Sequence, residues 1–286
     1  MVYDTFAGGV TNVTKPYDTA RLRELARHAR IDVIRMLAEA GSGHPGGSLS
    51  EIEILVSLYH HVMRHDPRDP GMKDRDRFVL SKGHGIPGQY AVMAGAGYCG
   101  GNDFMSLRKV DSPFQGHPDR CRLSCLEAST GSLGQGLSIA VGYALASRLE
   151  KDAFRVYCLI GDGESQEGQI WEAALSAAKY GLDNLVCILD YNKAQIDGYV
   201  KDVMPLEPIA DKWAAFGWHV IKVDGHDFDQ LIGAFDEAGR TKGKPTFILA
   251  DTVKGKGVSF MEGKVDWHGV APNAEQAAAA LAELGA

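Results

Sequence analysis

Basic charge is in short supply in this 286-residue chain: 30 Lys and Arg stand against 37 Asp and Glu, a formal net charge of -7. No surface suited to wrapping phosphate backbones is expected, so nucleic acid is not an expected partner. Long apolar runs are also missing. None approaches the roughly 18 residues of a membrane-spanning helix, and Met1 to Lys15 lacks the basic-then-apolar layout of a secretory leader. A cytoplasmic protein with no membrane partner is expected. Cysteine is sparse: Cys99, Cys121, Cys125, Cys158 and Cys187 make an odd set without a CxxC pair, which reads as reduced thiols. What is present is ordinary for a globular enzyme, 45% hydrophobic and 23% charged, enough for a sizeable core. The expected organisation is an N-terminal extension (1–20), one large α/β domain (21–260) and a C-terminal arm with a helix (261–286).

The patterning begins with a helix capped by Asp18 or Thr19 and running to about Ala40, with Leu22, Leu25, Ala26, Ala29, Val33, Met36 and Leu37 on one stripe. Gly41 stops it. The following Gly41-Ser-Gly-His-Pro-Gly-Gly-Ser48 is too glycine-rich for a helix and reads as a loop, leading into Ser50-x-x-Glu53, a capping-box pattern for a helix to about Met63. Phe78-Val-Leu80 is a short buried-strand candidate ending in Ser81-Lys-Gly-His-Gly85. Gly95 to Cys125 has no clear period and predicts a long loop, which in a compact domain tends to be functional. Gly131-Ser-Leu-Gly-Gln-Gly136 opens the next helix. From Arg155 onward strands and helices alternate: strand Val156–Ile160, helix Gln166–Tyr180, strand Leu185–Asp190, helix Ile209–Phe216, strand Val220–Val223, helix Phe228–Gly239 and strand Thr246–Ala250. This predicts an α/β fold with a mainly parallel sheet and helices on both faces.

Ile160-Gly-Asp-Gly-Glu-Ser-Gln-Glu-Gly168 follows one of these strands, and Leu189-Asp-Tyr-Asn-Lys-Ala-Gln-Ile-Asp-Gly198 ends the next. In a parallel sheet both strand ends open on the same edge, so Asp162 and Asn192 can converge. Mg²⁺ asks for oxygen ligands at roughly 2.0–2.1 Å and keeps positions for phosphate oxygens. Asp162, Asn192 and the carbonyl of Ala194 can supply the protein's share, while Gly161 and Gly163 remove Cβ atoms where a diphosphate must approach the backbone. A lone Gly-Asp-Gly is more often only a turn. Its extension through a helix to an Asn-bearing strand end is what resembles the thiamine diphosphate-binding motif. Tyr191-Asn192 stands where many members have two adjacent Asn or Asp-Asn.

Within the thiamine diphosphate enzymes, the chain from about Arg21 onward resembles transketolase. The blocks GSGHPGGSLS (Gly41 to Ser50), SKGHG (Ser81 to Gly85), GHPD (Gly116 to Asp119), GSLGQG (Gly131 to Gly136), Gly161 to Gly168 and Trp267-His268-Gly269 match in order. The resemblance implies thiamine diphosphate as cofactor, with Mg²⁺ (Ca²⁺ or Mn²⁺ possible) on Asp162, Asn192 and Ala194. It implies cofactor contacts from His84, Gly131, Leu133, Gly134, Gly161, Asp162, Gly163, Asn192, Ile196 and His268, and sugar-facing catalytic roles for His44, His117 and His268. Glu167 is expected near the cofactor at a subunit contact, or else as a solvated helix start. Histidine suits a substrate gripped by its hydroxyls, because near neutral pH it both donates and accepts. His28, His60, His61, His65, His219 and His226 lack a comparable glycine context and are expected to be structural or superficial. Lys254-Gly-Lys-Gly257 is either a solvated turn or an anion-positioning element and stands outside the catalytic set.

Single-chain transketolases continue into a pyrimidine-binding domain and a C-terminal domain, whereas this chain ends at Ala286. The resemblance therefore implies that the partner is a separate C-terminal transketolase subunit, and with it an α₂β₂ assembly, sugar phosphate substrates and no activity of this chain alone. The chain departs from the family before GHPD: Asp111-Ser112-Pro113 stands where relatives often carry an Arg, which argues against ordinary pentose phosphates. The alternatives are the N-terminal part of a deoxyxylulose phosphate synthase-like enzyme, a 2-oxo acid dehydrogenase E1 subunit, which has no role for the histidine blocks, and a non-catalytic cofactor-binding remnant.

Overall fold

Asp18 accepts hydrogen bonds from the Ala20 and Arg21 amides and so starts helix α1 (Thr19–Ala40), which Gly41 ends at φ 65°, a left-handed turn that favours glycine. The computed structural model describes residues 16–100 and 102–286. The expected extension therefore lies outside the described residues up to position 15. Helices α2 (Pro45–Ser50) and α3 (Ile52–Ser57) follow, the latter running into a π turn over Leu58–Val62.

Two expectations fail in this segment. The glycine-rich stretch is helical from Pro45, whose ring presets the first helical φ, and its glycines serve packing: a Cβ on Gly46 would lie 2.8 Å from the Trp267 carbonyl oxygen. The Ser50–Glu53 capping box does not form either. Distant partners take both side chains: Ser50 Oγ donates to Asp190, and Glu53 pairs with Arg30 and His226.

Strand β1 (Arg77–Leu80), helix α4 (Ile86–Gly95) and a long irregular stretch with one 3₁₀ turn, Asp103–Ser106, lead to α5 (Gln135–Glu150). The regular half comprises β2 (Val156–Gly161), α6 (Gly168–Lys179), β3 (Leu185–Tyr191), a small antiparallel hairpin β4 (Ala194–Gln195) and β5 (Gly198–Tyr199), then α7 (Val200–Val203), α8 (Ile209–Ala215), β6 (His219–Asp224), α9 (Phe228–Arg240), β7 (Thr246–Asp251) and α10 (Ala274–Glu283). The sheet has the order β1-β2-β3-β7-β6 and every pairing in it is parallel.

Alternation along the central strands divides the core in two. Tyr157, Leu159, Val186, Ile188 and Ile248 face the side covered by α1, α3, α4, α9 and α10. Cys158, Ile160, Cys187, Leu189 and Phe247 face the side covered by α5, α6 and α8. Helix α10 closes back on α1, where Arg27 Nη1 donates to the Leu284 carbonyl at 2.8 Å. All five cysteines are free. Cys158 and Cys187 are buried and in register across β2 and β3, Cys99 and Cys125 are half-buried, and Cys121 is exposed. No helix of the described residues is long and apolar enough to cross a membrane.

Candidate functional site

The C-terminal ends of the parallel strands collect the polar chemistry on one edge. Asp162 follows β2, Asn192 follows β3, Lys82 and His84 follow β1, and Thr252 and Lys254 follow β7. This is the edge where ligands of open α/β sheets bind.

The residues with metal-binding chemistry meet. Asp162 Oδ2 accepts from the Lys193 amide at 2.5 Å and its Oδ1 from the Gly163 amide at 2.7 Å, which draws the turn after β3 onto the Gly-Asp-Gly loop. Lys193 makes this turn at φ 68°. Asn192 Oδ1 accepts from the Ala194 amide at 3.2 Å. The Asp162 carboxylate, the Asn192 amide oxygen and the Ala194 carbonyl thus form a set of hard oxygen donors suited to Mg²⁺. A cation already engages it: Lys254 Nζ donates to the Ala194 carbonyl at 3.1 Å. Burial and the neighbouring Asp190 charge push the Asp162 carboxyl up, and burial pulls the Lys254 ammonium down against the support of Asp162. Both shifts mark charges short of counter-charge and water. The glycines leave room: a Cβ on Gly163 would come within 2.9 Å of Gln195 Cβ.

Four histidines cluster beside this set. His44 lies at ring-centroid distances of 5.2 Å from His84, 6.0 Å from His117 and 5.8 Å from His268, and His84 lies 5.1 Å from His268. Their backbones come from four separate places: the N-cap of α2, the 3₁₀ turn after β1, the long loop before α5 and the turn after Val265–Trp267. Burial is the main force lowering all four. His44, with Arg108, His117 and Lys254 nearby, falls to about 4, and His268, beside Lys254, to about 3. His84 falls well below its usual value, and His117 is lowered by burial and by Arg108. The cluster is accordingly neutral near pH 7 and offers hydrogen-bond donors and acceptors rather than charge. Lys254 Nζ donates to His268 Nδ1 at 3.0 Å, which leaves the His268 proton on Nε2. His44 Nδ1 is buried without a hydrogen-bond partner among the described residues, a polar atom that a hydroxylated ligand can satisfy.

The Gly131–Gly136 loop borders both groups. A Cβ on Gly131 would lie 2.9 Å from His117 Cδ2, and one on Gly134 2.9 Å from Glu167 Cβ. Gly134, at φ 85°, heads α5 and donates its amide to Glu164 at 2.9 Å. Leu133 and Glu167 are exposed at this border, and Ile196, 67% exposed, sits at the tip of the β4–β5 hairpin.

Several site residues escaped sequence reasoning. Lys254 is 1% exposed rather than a solvated turn, because its stem runs under Gly46 while the Gly255 amide bonds the Gly46 carbonyl. Lys82 is equally buried, between Asp190 at 2.5 Å and Glu51 at 2.7 Å. The Glu51 carboxylate meets that ammonium off the hydrogen-bonding line, and burial pushes it up to about 8 despite Lys82. Arg108, at φ 59°, packs its guanidinium over Gly116. His226 is structural, as expected: its Nε2 accepts from the Val253 amide, so its Nδ1 proton faces Glu53.

Comparison with known proteins identifies the family. The family model described as "Transketolase, thiamine diphosphate binding domain" matches residues 22–286. The chain is 47% identical to a 6-deoxy-6-sulfo-D-fructose transketolase subunit of Clostridium sp. (strain MSTE9), covering 92% of this chain and 96% of that one. It is 41% identical to an apulose-4-phosphate transketolase subunit of Actinobacillus succinogenes, covering 94% and 96%. Among solved structures, transketolase from Campylobacter jejuni superposes with a TM-score of 0.89 at 33% identity, covering 94% of this chain but only 43% of that chain. These matches disfavour the deoxyxylulose phosphate synthase alternative. The chain belongs to the transketolase family, whose thiamine diphosphate-binding domain it carries.

Proposed function

We propose that this chain is the cofactor-holding subunit of a two-chain transketolase that moves a two-carbon ketol unit from a ketose phosphate, or a similarly anionic ketose, to an aldose. The observation that carries this reading is the meeting of Asp162, the 192–194 turn and four histidines at one sheet edge. Thiamine diphosphate, when bound, supplies the electron sink for breaking the bond next to the ketose carbonyl. Asp162, Asn192 and the Ala194 carbonyl hold Mg²⁺, or Ca²⁺ or Mn²⁺ on the same oxygens, and the Gly131–Gly134 and Gly161–Gly163 backbones flank the diphosphate. Lys254 adds positive charge beside it. His84, Leu133, Ile196, His268 and Glu167 line the cofactor's surroundings, Glu167 toward the partner. His44, His117 and His268, neutral and water-poor, orient substrate hydroxyls and relay protons through Nδ1 and Nε2.

The complementary, pyrimidine-binding half belongs to a C-terminal subunit, with which the chain forms an α₂β₂ assembly in the cytoplasm. Relatives named as transketolase subunits, matched over 96% of their length, support a split enzyme. In this reading 21–260 is the cofactor domain and 261–286 an arm that returns His268 to it. The test is ketol transfer assayed with this chain alone, with the partner alone and with both, in thiamine diphosphate and Mg²⁺. Turnover is expected only from the mixture, and Asp162→Ala should abolish it together with cofactor binding. Appreciable turnover by the chain alone, or unimpaired cofactor binding by the variant, would defeat the proposal.

A further inference from the structure

Below the candidate metal oxygens lies a side chain shut off from solvent. Asp190, the next-to-last residue of β3, is 0% exposed and gathers donors from four directions. Its Oδ2 accepts from Lys82 Nζ at 2.5 Å, Ser50 Oγ at 2.6 Å and Asn192 Nδ2 at 3.1 Å, and its Oδ1 accepts from Thr252 Oγ1. These partners come from the end of β1, the end of α2, the turn after β3 and the end of β7. A carboxylate held this way can only accept. A carboxamide has one donating and one accepting face, and turning it over exchanges them.

We infer that Asp190 is a positioning residue that sets the Asn192 carboxamide, drawing the NH₂ face inward so that the oxygen face is the one presented to the divalent cation. The outward face agrees: Asn192 Oδ1 accepts from the Ala194 amide at 3.2 Å and lies in the turn whose Lys193 amide bonds Asp162. With the amide reversed, both outer contacts would set a donor against a donor or a cation. Lys82, which also donates to the Gly47 carbonyl at 2.9 Å, and Thr252 keep Asp190 in place and tie this choice to the sheet edge. The inference rests on the cofactor reading given above.

The test measures Mn²⁺ binding to the full-length chain in the presence of saturating thiamine diphosphate, by the loss of free-ion paramagnetic resonance signal, alongside the melting temperature. Asp190→Asn should weaken Mn²⁺ by about 10- to 100-fold, the usual effect of removing a group that orients a ligand. The exchanged pair Asp190→Asn/Asn192→Asp restores one donor facing one acceptor and places oxygen outward in either rotamer. It should recover Mn²⁺ affinity to within a few-fold of the parent, although both variants melt lower because Lys82 has lost a carboxylate. Equal loss of Mn²⁺ affinity in the single and exchanged variants would mean a merely structural role, and parental affinity in both Asp190→Asn and Asp190→Ala, the second of which keeps no acceptor for Asn192, would mean no role. Either result overturns the inference while leaving the cofactor reading standing. A parent chain that binds no Mn²⁺ with thiamine diphosphate would instead overturn that reading.

Discussion

Glu53 shows how a single residue far from the reaction underwrites the edge where the site forms. Burial opposes its ionisation, but Arg30, with hydrogen bonds of 2.7 Å to both oxygens, and His226 hold the carboxyl down to about 2. A carboxyl depressed in the fold stabilises it above the unfolded value, near 4.5, and loses that contribution as pH falls toward 2. Glu53→Gln leaves Arg30 buried and half-paired, so a loss of about 3–5 kcal/mol is expected at pH 7, measured by denaturant unfolding. The gap to the parent should narrow steadily below about pH 4.5. The same scale marks the limit of reading residues from sequence. Histidines beside glycine and the Gly-Asp-Gly carboxylate stand out locally, because backbone freedom and ligand chemistry coincide there. Asp190, Lys82 and Lys254 carry no such local mark. An aspartate in an apolar strand or a lysine in a glycine-rich turn becomes interior only through partners that folding brings from other elements.

At the scale of elements, close approach is what the glycines of this chain secure. Helix α5 starts against the exit of β1: a Cβ on Gly136 would lie 2.5 Å from Ser81 Cβ and 2.6 Å from its Cα. Gly136→Ala must push the helix start off the strand, taking with it Gly134, whose amide bonds the buried Glu164. A destabilisation of about 1–3 kcal/mol is expected, visible in thermal melts, with weakened thiamine diphosphate binding in titrations of the folded variant. Regular elements were legible where hydrophobic period and caps agree. Helix α1 runs between Asp18 and Gly41, and the alternating strands and helices after Arg155 fall within a residue or two of their expected bounds, apart from the start of α6, where Glu164–Gln166 forms a separate 3₁₀ turn. Helix α2 was not legible, because two consecutive glycines signal a loop unless the surroundings require their lack of side chains. The β4–β5 hairpin, two residues per strand, is too short to leave a period.

For the whole molecule, the order of blocks along the chain was the informative signal, since six separated motifs assemble only if the strands lie parallel and open on one edge. Their spatial closure was not legible. Which histidine faces which, and that all four lose their charge to burial, depends on loops crossing from the ends of α1, β1 and β7. The distribution of thiols has a practical consequence. Burial pushes Cys99 up to about 12, raises Cys125, and carries Cys158 and Cys187 well above the ordinary range, which suppresses their reactivity. Cys121 alone is open to solvent, on the His117 loop. The native protein should therefore take up one maleimide under brief, mild labelling, countable by intact-mass spectrometry. That dye would stand four positions from His117, which the proposed function turns toward the substrate, and on that reading would convert the chain into its own fluorescent reporter of subunit docking without any engineered cysteine.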